Sequence, residues 1–289
     1  MPCDTCYGER RTNKITIGVR NFILLLLLLA TMPVFSQKDS TKKKRTIFLM
    51  WGYNREAYTS STLHFKHTGS GVNEQGSYDF VVKNVRANDR PDFDQLYDVI
   101  NITIPQFNFR AGFWMNNAND EGFELSYDHA KYVVTDWQTA RFVGTINGTY
   151  VDKDSILNPD YFHFEHTDGA NFWMLSYLKK NKIYHSKSKN FKLSYIFKPG
   201  AGVVIPRTDV TLFGKKLNNK FKVAGFCAGI ETSIRAELYK HFFIDMAAKG
   251  GYANYLSALC LGKGLGKVNH QFGFVEGILC IGYQFNSKR

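Results

Sequence analysis

The feature that most constrains this chain is an alternation over residues 102–134, ITIPQFNFRAGFWMNNANDEGFELSYDHAKYVV. One parity carries Thr103, Pro105, Phe107, Phe109, Ala111, Phe113 and Met115, and the other carries Gln106, Asn108, Arg110 and Gly112. Successive side chains of a strand point to opposite faces, so the segment is a strand with one apolar and one polar face. A short turn at 116–122 is built from Asn, Asp, Glu and Gly, which tolerate tight backbone geometry. After it, Phe123, Leu125, Tyr127 and Val133 share the apolar parity, while Gly122, Glu124, Ser126, Asp128 and Ala130 share the small or charged one. The result is a hairpin with a wide aromatic face. Such a face is buried against a second sheet in a soluble sandwich, or turned to lipid in a membrane barrel whose polar face lines a lumen.

The start of the chain reads as an address. Arg10, Arg11, Lys14 and Arg20 precede the apolar run FILLLLLLA at 22–30, and Val34-Phe35-Ser36 supplies a cleavage site ahead of Gln37. These are the parts of a secretory signal peptide, 1–36, and the run is shorter than the roughly 20 residues a spanning helix needs. Cleavage leaves 253 of 289 residues and, by removing four basic and two acidic side chains, lowers the net charge from +12 to +10. It also removes Cys3 and Cys6, and the remaining Cys227, Cys260 and Cys280 are an odd number that indicates no disulfide framework. Cys227 and Cys280 fall in predicted strands and read as small buried side chains. Neither a metal site nor a cofactor is implied. Residues 37–45, QKDSTKKKR, form a polar arm on the periplasmic side of the predicted barrel, 46–289.

Alternation predicts eight long strands, at about 46–58, 101–115, 122–134, 170–180, 190–205, 221–238, 242–256 and 268–286. Long connections follow the first, third, fifth and seventh, and shorter ones the others. Outer-membrane barrels have an even strand count, short turns on one side and long loops on the other. A sandwich has no reason for that alternation. Two further alternating pieces, 62–67 and 78–85, either extend strands beyond the membrane or make ten strands if they cross it. The glycine-rich CLGKGLGK at 260–267 lacks the strand–loop–helix setting of a phosphate cradle and reads as a turn.

The predicted inward charges are Arg110, Lys192, Lys198, Arg235 and Lys249 against Glu124, Asp128, Glu231, Glu237, Asp245 and Glu276. An eight-stranded barrel is just wide enough to be filled by its own side chains. Nearly balanced charges in that space are expected to pair into a packed polar core rather than line a pore.

The signal peptide ending at Ser36, the alternating strands and the aromatic end GYQF at 282–285 together resemble the small outer-membrane β-barrel proteins of Gram-negative bacteria, of a Bacteroidota type. GYQF looks like the C-terminal signature read by the barrel-insertion machinery, although four residues, 286–289, follow it. The resemblance implies an antiparallel transmembrane barrel in the outer membrane, with periplasmic termini. It says little of activity, because one scaffold supports many functions.

Two functions fit. The first is a non-enzymatic surface or envelope protein, with an extracellular ligand on the long loops 59–100 and 135–168. The loop aromatics Tyr78, Phe80, Tyr97, Trp137, Tyr150 and Tyr161 are either adhesive or the loops' own small cores. The basic excess suits outer-membrane lipid and lipopolysaccharide; nucleic acid is excluded by export. The alternative is a lipid A acyl-modifying hydrolase at the outer rim, where FHFEHTDGAN at 162–171 gathers His163, Glu165, His166, Thr167 and Asp168. Histidine, hydroxyl and carboxylate are the minimum set for acyl transfer. The His166-Thr167 pair with Asp168 and Asn171 is faintly similar to the His-x-Ser-Asn signature of lipid A deacylases, but His166 and Thr167 are adjacent, so on a strand they face opposite ways. Asp128 with His129 is a weaker candidate for the same reason.

Overall fold

A computed structural model of the chain describes residues 45–67, 76–90, 106–116, 118–166, 168–188, 190–260 and 266–287. The predicted signal peptide, all but the last residue of the arm 37–45, Tyr97, the predicted strand start 101–105, Thr167 and 261–265 of the glycine-rich segment lie outside the described residues. Every described element is a strand: β1 (Arg45–Tyr58), β2 (Ser61–His67), β3 (Tyr78–Val85), β4 (Ala87–Asn88), β5 (Asn108–Trp114), β6 (Glu121–Asp128), β7 (Tyr132–Val134), β8 (Thr139–Ile146) and β9 (Thr149–Ile156). Then follow β10 (Phe162–His166), β11 (Phe172–His185), β12 (Phe191–Val204), β13 (Asp209–Leu212), β14 (Lys215–Asn218), β15 (Gly225–Leu238), β16 (Phe242–Leu259) and β17 (Gly266–Ser287).

Eight of these form a ring in the order β1-β5-β6-β11-β12-β15-β16-β17. Every neighbouring pair is antiparallel, and β1 closes on β17 from Arg45↔Ser287 to Tyr58↔Phe274. Closure satisfies the ladder on both sides of every wall strand, the condition for crossing a membrane with strands. The outward parity is apolar and exposed: Leu49 and Trp51 on β1, Phe109 and Phe113 on β5, Ile230 and Ile234 on β15, Leu279 and Ile281 on β17. In water this continuous apolar belt would far exceed the patches a monomer tolerates, so its solvent is the bilayer. The chain is an antiparallel transmembrane β-barrel.

Inward glycines let the wall take large side chains. A Cβ on Gly112 would lie 2.2 Å from the Phe48 ring, and one on Gly282 would lie 2.2 Å from the Phe243 ring. The rings of Phe48 and Phe243 meet edge to face, 6.1 Å apart.

Above the ring, two segments read only as polar connections prove to be sheet. Residues 135–168 contain the hairpin β8–β9, closed by Asn147 and Gly148 with φ of 50° and 77°, the left-handed pair that a two-residue hairpin requires. Residues 206–220 contain the hairpin β13–β14, closed in the same way by Phe213 and Gly214 at 52° and 78°. The predicted strand 122–134 is also two elements: β6 ends at Asp128 in the wall, and β7 joins a second sheet, β14-β13-β10-β7-β4.

The pieces 62–67 and 78–85 are β2 and β3. They stay out of the ring, which β1 and β17 close without them, and extend β17 outward in the order β17-β2-β3-β8-β9. This extension packs face to face on the second sheet: Phe65 meets Phe162 and Phe164 at 5.6 and 5.8 Å, and Phe142 meets Phe162 at 5.6 Å. A small sandwich therefore caps the barrel, and its apolar core runs down to Phe172 and Phe274, stacked at 4.7 Å at the top of the wall.

Candidate functional site

The lumen is built by register. Directly opposed residues place Lys198, Glu231, Lys249 and Glu276 in one row across β12, β15, β16 and β17, with alternating sign. Lys198 Nζ lies 2.8 Å from Glu231 Oε1, and Lys249 Nζ lies 2.8 Å from Glu276 Oε2 and also pairs with Asp128. From the other side of the lumen, Arg110 on β5 reaches across. Its Nη1 donates to Glu231 at 2.6 Å and to Glu124 at 3.3 Å, and its Nη2 donates to Asp128 at 3.0 Å. All these groups are buried, so each charge depends on its partners.

Toward the end with the short turns, Arg235 pairs with Asp245 at 2.7 Å and lies 4.2 and 4.7 Å from the Phe243 and Phe48 ring centres. Lys180, whose inward position the sequence reading missed, pairs with Glu237 at 3.0 Å and sits 4.4 Å over Trp114. Its parity follows from Leu178, inward and buried two residues earlier. Lys192 is half-exposed and 3.7 Å from Glu237. Cys227 and Cys280 are buried in strands, and Cys280 Sγ donates to Asn108 at 2.9 Å.

The rim residues singled out from sequence part into separate environments. On β10, Phe164 and His166 face the cap core, whereas His163 and Glu165 face away from it. His163 Nδ1 is 2.8 Å from Asp136 and its Nε2 is 3.6 Å from Glu165, which also pairs with Arg90 at 2.9 Å. The hydrogen bond to Glu165 raises the His163 pKa, against the opposing effect of burial.

His166 is fully enclosed. Its Nε2 lies 3.0 Å from His270 Nε2, its Nδ1 is 3.3 Å from the Thr208 hydroxyl, and its ring stacks on Tyr255 at 4.7 Å. Burial pushes the His166 pKa down to about 3 and that of His270 well below its usual value, so both rings are neutral. Asp168 pairs instead with Arg207 at the surface. Asn171 accepts from Tyr127 and contacts His129 Nδ1, each at 2.9 Å, and donates to the Asp168 and Ile205 carbonyls. The structure thus keeps His166 apart from Asp168 and Asn171, and the Asp168 carboxylate goes to Arg207 rather than to a histidine. Asp128 turns into the lumen and His129 does not accompany it.

Of the loop aromatics, Tyr78 and Phe80 are core of the cap, while Trp137, Tyr150 and Tyr161 are exposed. Among the described residues no group of three or more His, Cys, Asp or Glu side chains is arranged to hold a metal ion.

Beside His270 the wall opens. The ladder between β2 and β17 runs from Gly266↔His67 to Asn269↔His64 and then stops, and β1 takes over at Phe274. In the gap lies a cavity of about 400 Å³ lined by Ser60, Ser61, Thr62, Asn84, Asn254, Asn269, His270 and Gln271. Its lining is uncharged throughout. Sequence reasoning missed it because its two edges are some two hundred residues apart.

No family model matches the chain, and no curated protein matches it in sequence. Among solved structures it is similar to Ail, the attachment invasion locus protein of Yersinia pestis, at 10% identity over 85% of this chain and 100% of that one, with a TM-score of 0.29. Neisserial surface protein A aligns at 12% identity over 83% and 97%, with a TM-score of 0.31. The outer membrane protein OprG of Pseudomonas aeruginosa aligns at 12% identity over 85% and 97%, with a TM-score of 0.30.

Proposed function

We propose that this protein is a non-conducting, non-enzymatic outer-membrane barrel of a Gram-negative bacterium that holds a folded β-cap at the cell surface for binding. The observation that carries this reading is the lumen: Arg110, Lys198 and Lys249 are paired across it with Glu124, Asp128, Glu231 and Glu276, and the cap core continues above them. A rigid, filled barrel under a structured cap is a pedestal. The short connections from β5 to β6, from β11 to β12 and from β15 to β16 lie at the end where β1 begins and β17 ends. That supports periplasmic termini, with GYQF offered to the insertion machinery and the cap outside. Exposed Trp137, Tyr150 and Tyr161 in loop 135–168 supply contact surface for an extracellular partner, and β2 and β3 of loop 59–100 form the cap's other face. The basic excess favours lipopolysaccharide around the wall.

Reconstitution in planar bilayers tests the pedestal directly. No unitary conductance is expected from the wild type, and stable open steps would overturn the reading. The acyl-hydrolase alternative requires an ester to reach His166, which is enclosed by Tyr255, His270 and Thr208. Mass spectrometry of lipid A from cells with and without the gene is expected to give identical acyl patterns; a lost or added chain that depends on His166 would restore the enzyme.

A further inference from the structure

The opening between β2 and β17 has the features of a binding site rather than of a packing fault. A sheet that loses its ladder leaves polar groups seeking partners, and here the chain surrounds the gap with hydroxyls and carboxamides. Thr62 Oγ1 accepts from the Asn84 backbone at 3.5 Å, and Asn84 holds a left-handed φ of 54°. Gln271 Oε1 accepts from the Tyr252 hydroxyl at 2.5 Å and from Asn254 Nδ2 at 3.5 Å. Those two bonds fix the Gln271 amide, whose NH2 remains a donor.

The second observation is His270. It belongs to the cavity lining but its side chain turns inward: it is 3% exposed, its Nε2 is used by His166, and its Nδ1 is buried without a partner. A buried ring nitrogen without a partner is costly unless something binds it. Its neutrality, enforced by burial, removes the last charge from the lining.

From this geometry we infer that the slot formed by Ser60, Thr62, Asn254, Asn269, His270 and Gln271 binds a neutral saccharide residue. Carboxamides each offer a donor and an acceptor on one rigid group, which matches a pair of adjacent sugar hydroxyls. The volume of about 400 Å³ falls in the range of small-molecule sites and admits one or two sugar rings. An anion would find no cation in the lining. A purely apolar ligand would leave the amides unpaired.

Position narrows the source. Val275 belongs to the exposed apolar belt, and Gln271 stands four residues farther along β17, about 13 Å at strand rise. Given the surface reading above, on which this inference rests, the slot lies just beyond the hydrocarbon. There a sugar arrives either on a lipid of the same leaflet or from a soluble glycan.

The test uses the full barrel in a detergent without sugar head groups, since a glycoside detergent would compete. Binding of neutral hexoses and neutral oligosaccharides is measured by calorimetry or chemical-shift change, with sialic acid and a sulfated sugar as anionic controls. A parallel arm uses vesicles with and without a glycolipid that bears a neutral sugar. Neutral sugars are expected to bind, anionic ones not. Gln271→Ala and Asn254→Ala should each weaken binding about tenfold, as for one lost hydrogen bond, with an unchanged unfolding midpoint. Binding confined to the glycolipid arm identifies the membrane source, and binding of the free sugars the soluble one. No binding in either arm, equal binding of anionic sugars, or no effect of Gln271→Ala overturns the inference. None of those outcomes bears on the pedestal, which fails by conducting or by a His166-dependent change in lipid A.

Discussion

Strand β17 runs through two interiors of opposite chemistry. Between Glu276 and Gln284 its inward residues face a lumen of ion pairs, while from Phe274 back to Val268 the same parity carries Phe274, Phe272, His270 and Val268 into an apolar core. The backbone does not change; the solvent does. Where lipid lies outside, the apolar residues go outward and the charges must be satisfied within. Where water lies outside, the ordinary arrangement returns and the cap packs as a sandwich with Lys267, Asn269 and Gln271 outward. Alternation alone was compatible with either a barrel or a sandwich, and the molecule contains both, one above the other.

The comparison breaks most sharply at Arg110. Arg110→Met removes the cation that touches Glu124, Asp128 and Glu231 together and leaves three buried carboxylates to share Lys198 and Lys249, and buried charge short of its counter-charge is expensive. The barrel should lose about 4 kcal/mol, read as a lower urea midpoint for the folded form in lipid vesicles. An unchanged midpoint would mean that the row of Lys198 and Lys249 suffices alone.

The corresponding lesion in the cap is Phe164→Ala. Phe164 is fully buried and meets Phe65 at 5.8 Å and His270 at 5.5 Å. Truncation should cost about 3 kcal/mol, but locally. Hydrogen exchange in β2, β3 and β10 is expected to accelerate while the wall strands stay protected. If both regions loosened together, cap and barrel would be one cooperative unit.

Acid should separate them by sign. His166 is held near 3 in the folded cap against about 6.5 in an unfolded chain. Below pH 6.5 the unfolded state binds the proton that the folded state refuses, so cap stability is complete above that pH and falls as pH drops toward 3. The slope is about 1.4 kcal/mol per pH unit for this ring. His163, on the other face of the strand, has a raised pKa and contributes in the opposite direction. Its stabilisation is present below 6.5 and fades as pH rises through its folded value. Hydrogen exchange of the cap at pH 7 and pH 5 should therefore show loosening in the wild type and less of it in His166→Phe, which keeps the stack on Tyr255. Equal loosening in the two would remove His166 as the cause.

The wall was legible because its rules are local. Parity marked Arg110, Glu231 and Lys249 as inward without any knowledge of their partners, and it placed the turn at Tyr239, Lys240 and His241. The cap was not, because its contacts are remote: His166 meets His270 across 104 residues, and no periodicity announces such a meeting. Part of it was nonetheless readable. Asn147-Gly148 between Phe142 and Val151 is a hairpin signal, overlooked because β9, with Asp152, Lys153 and Asp154 in succession, lacks an apolar face.

That charged strand also marks the one respect in which the cap is the more exposed of the two regions. The ring has no edge, whereas β9 ends its sheet with one side unpaired among the described residues. Natural edges are guarded by charge, and here Arg141 on β8 pairs with Asp152 at 2.9 Å and with Asp154 at 3.4 Å, all of them exposed. Such pairs are expected to add little to stability. Arg141→Ala should therefore leave the unfolding midpoint where it is. Replacing the guard itself, Asp152→Val with Lys153→Thr and Asp154→Val, should leave the midpoint equally unmoved but produce concentration-dependent dimers in sedimentation, as two β9 edges pair. A variant that stays monomeric would show that exposed Tyr150 and Ile156, or the twist of the hairpin, blocks the edge without help from charge.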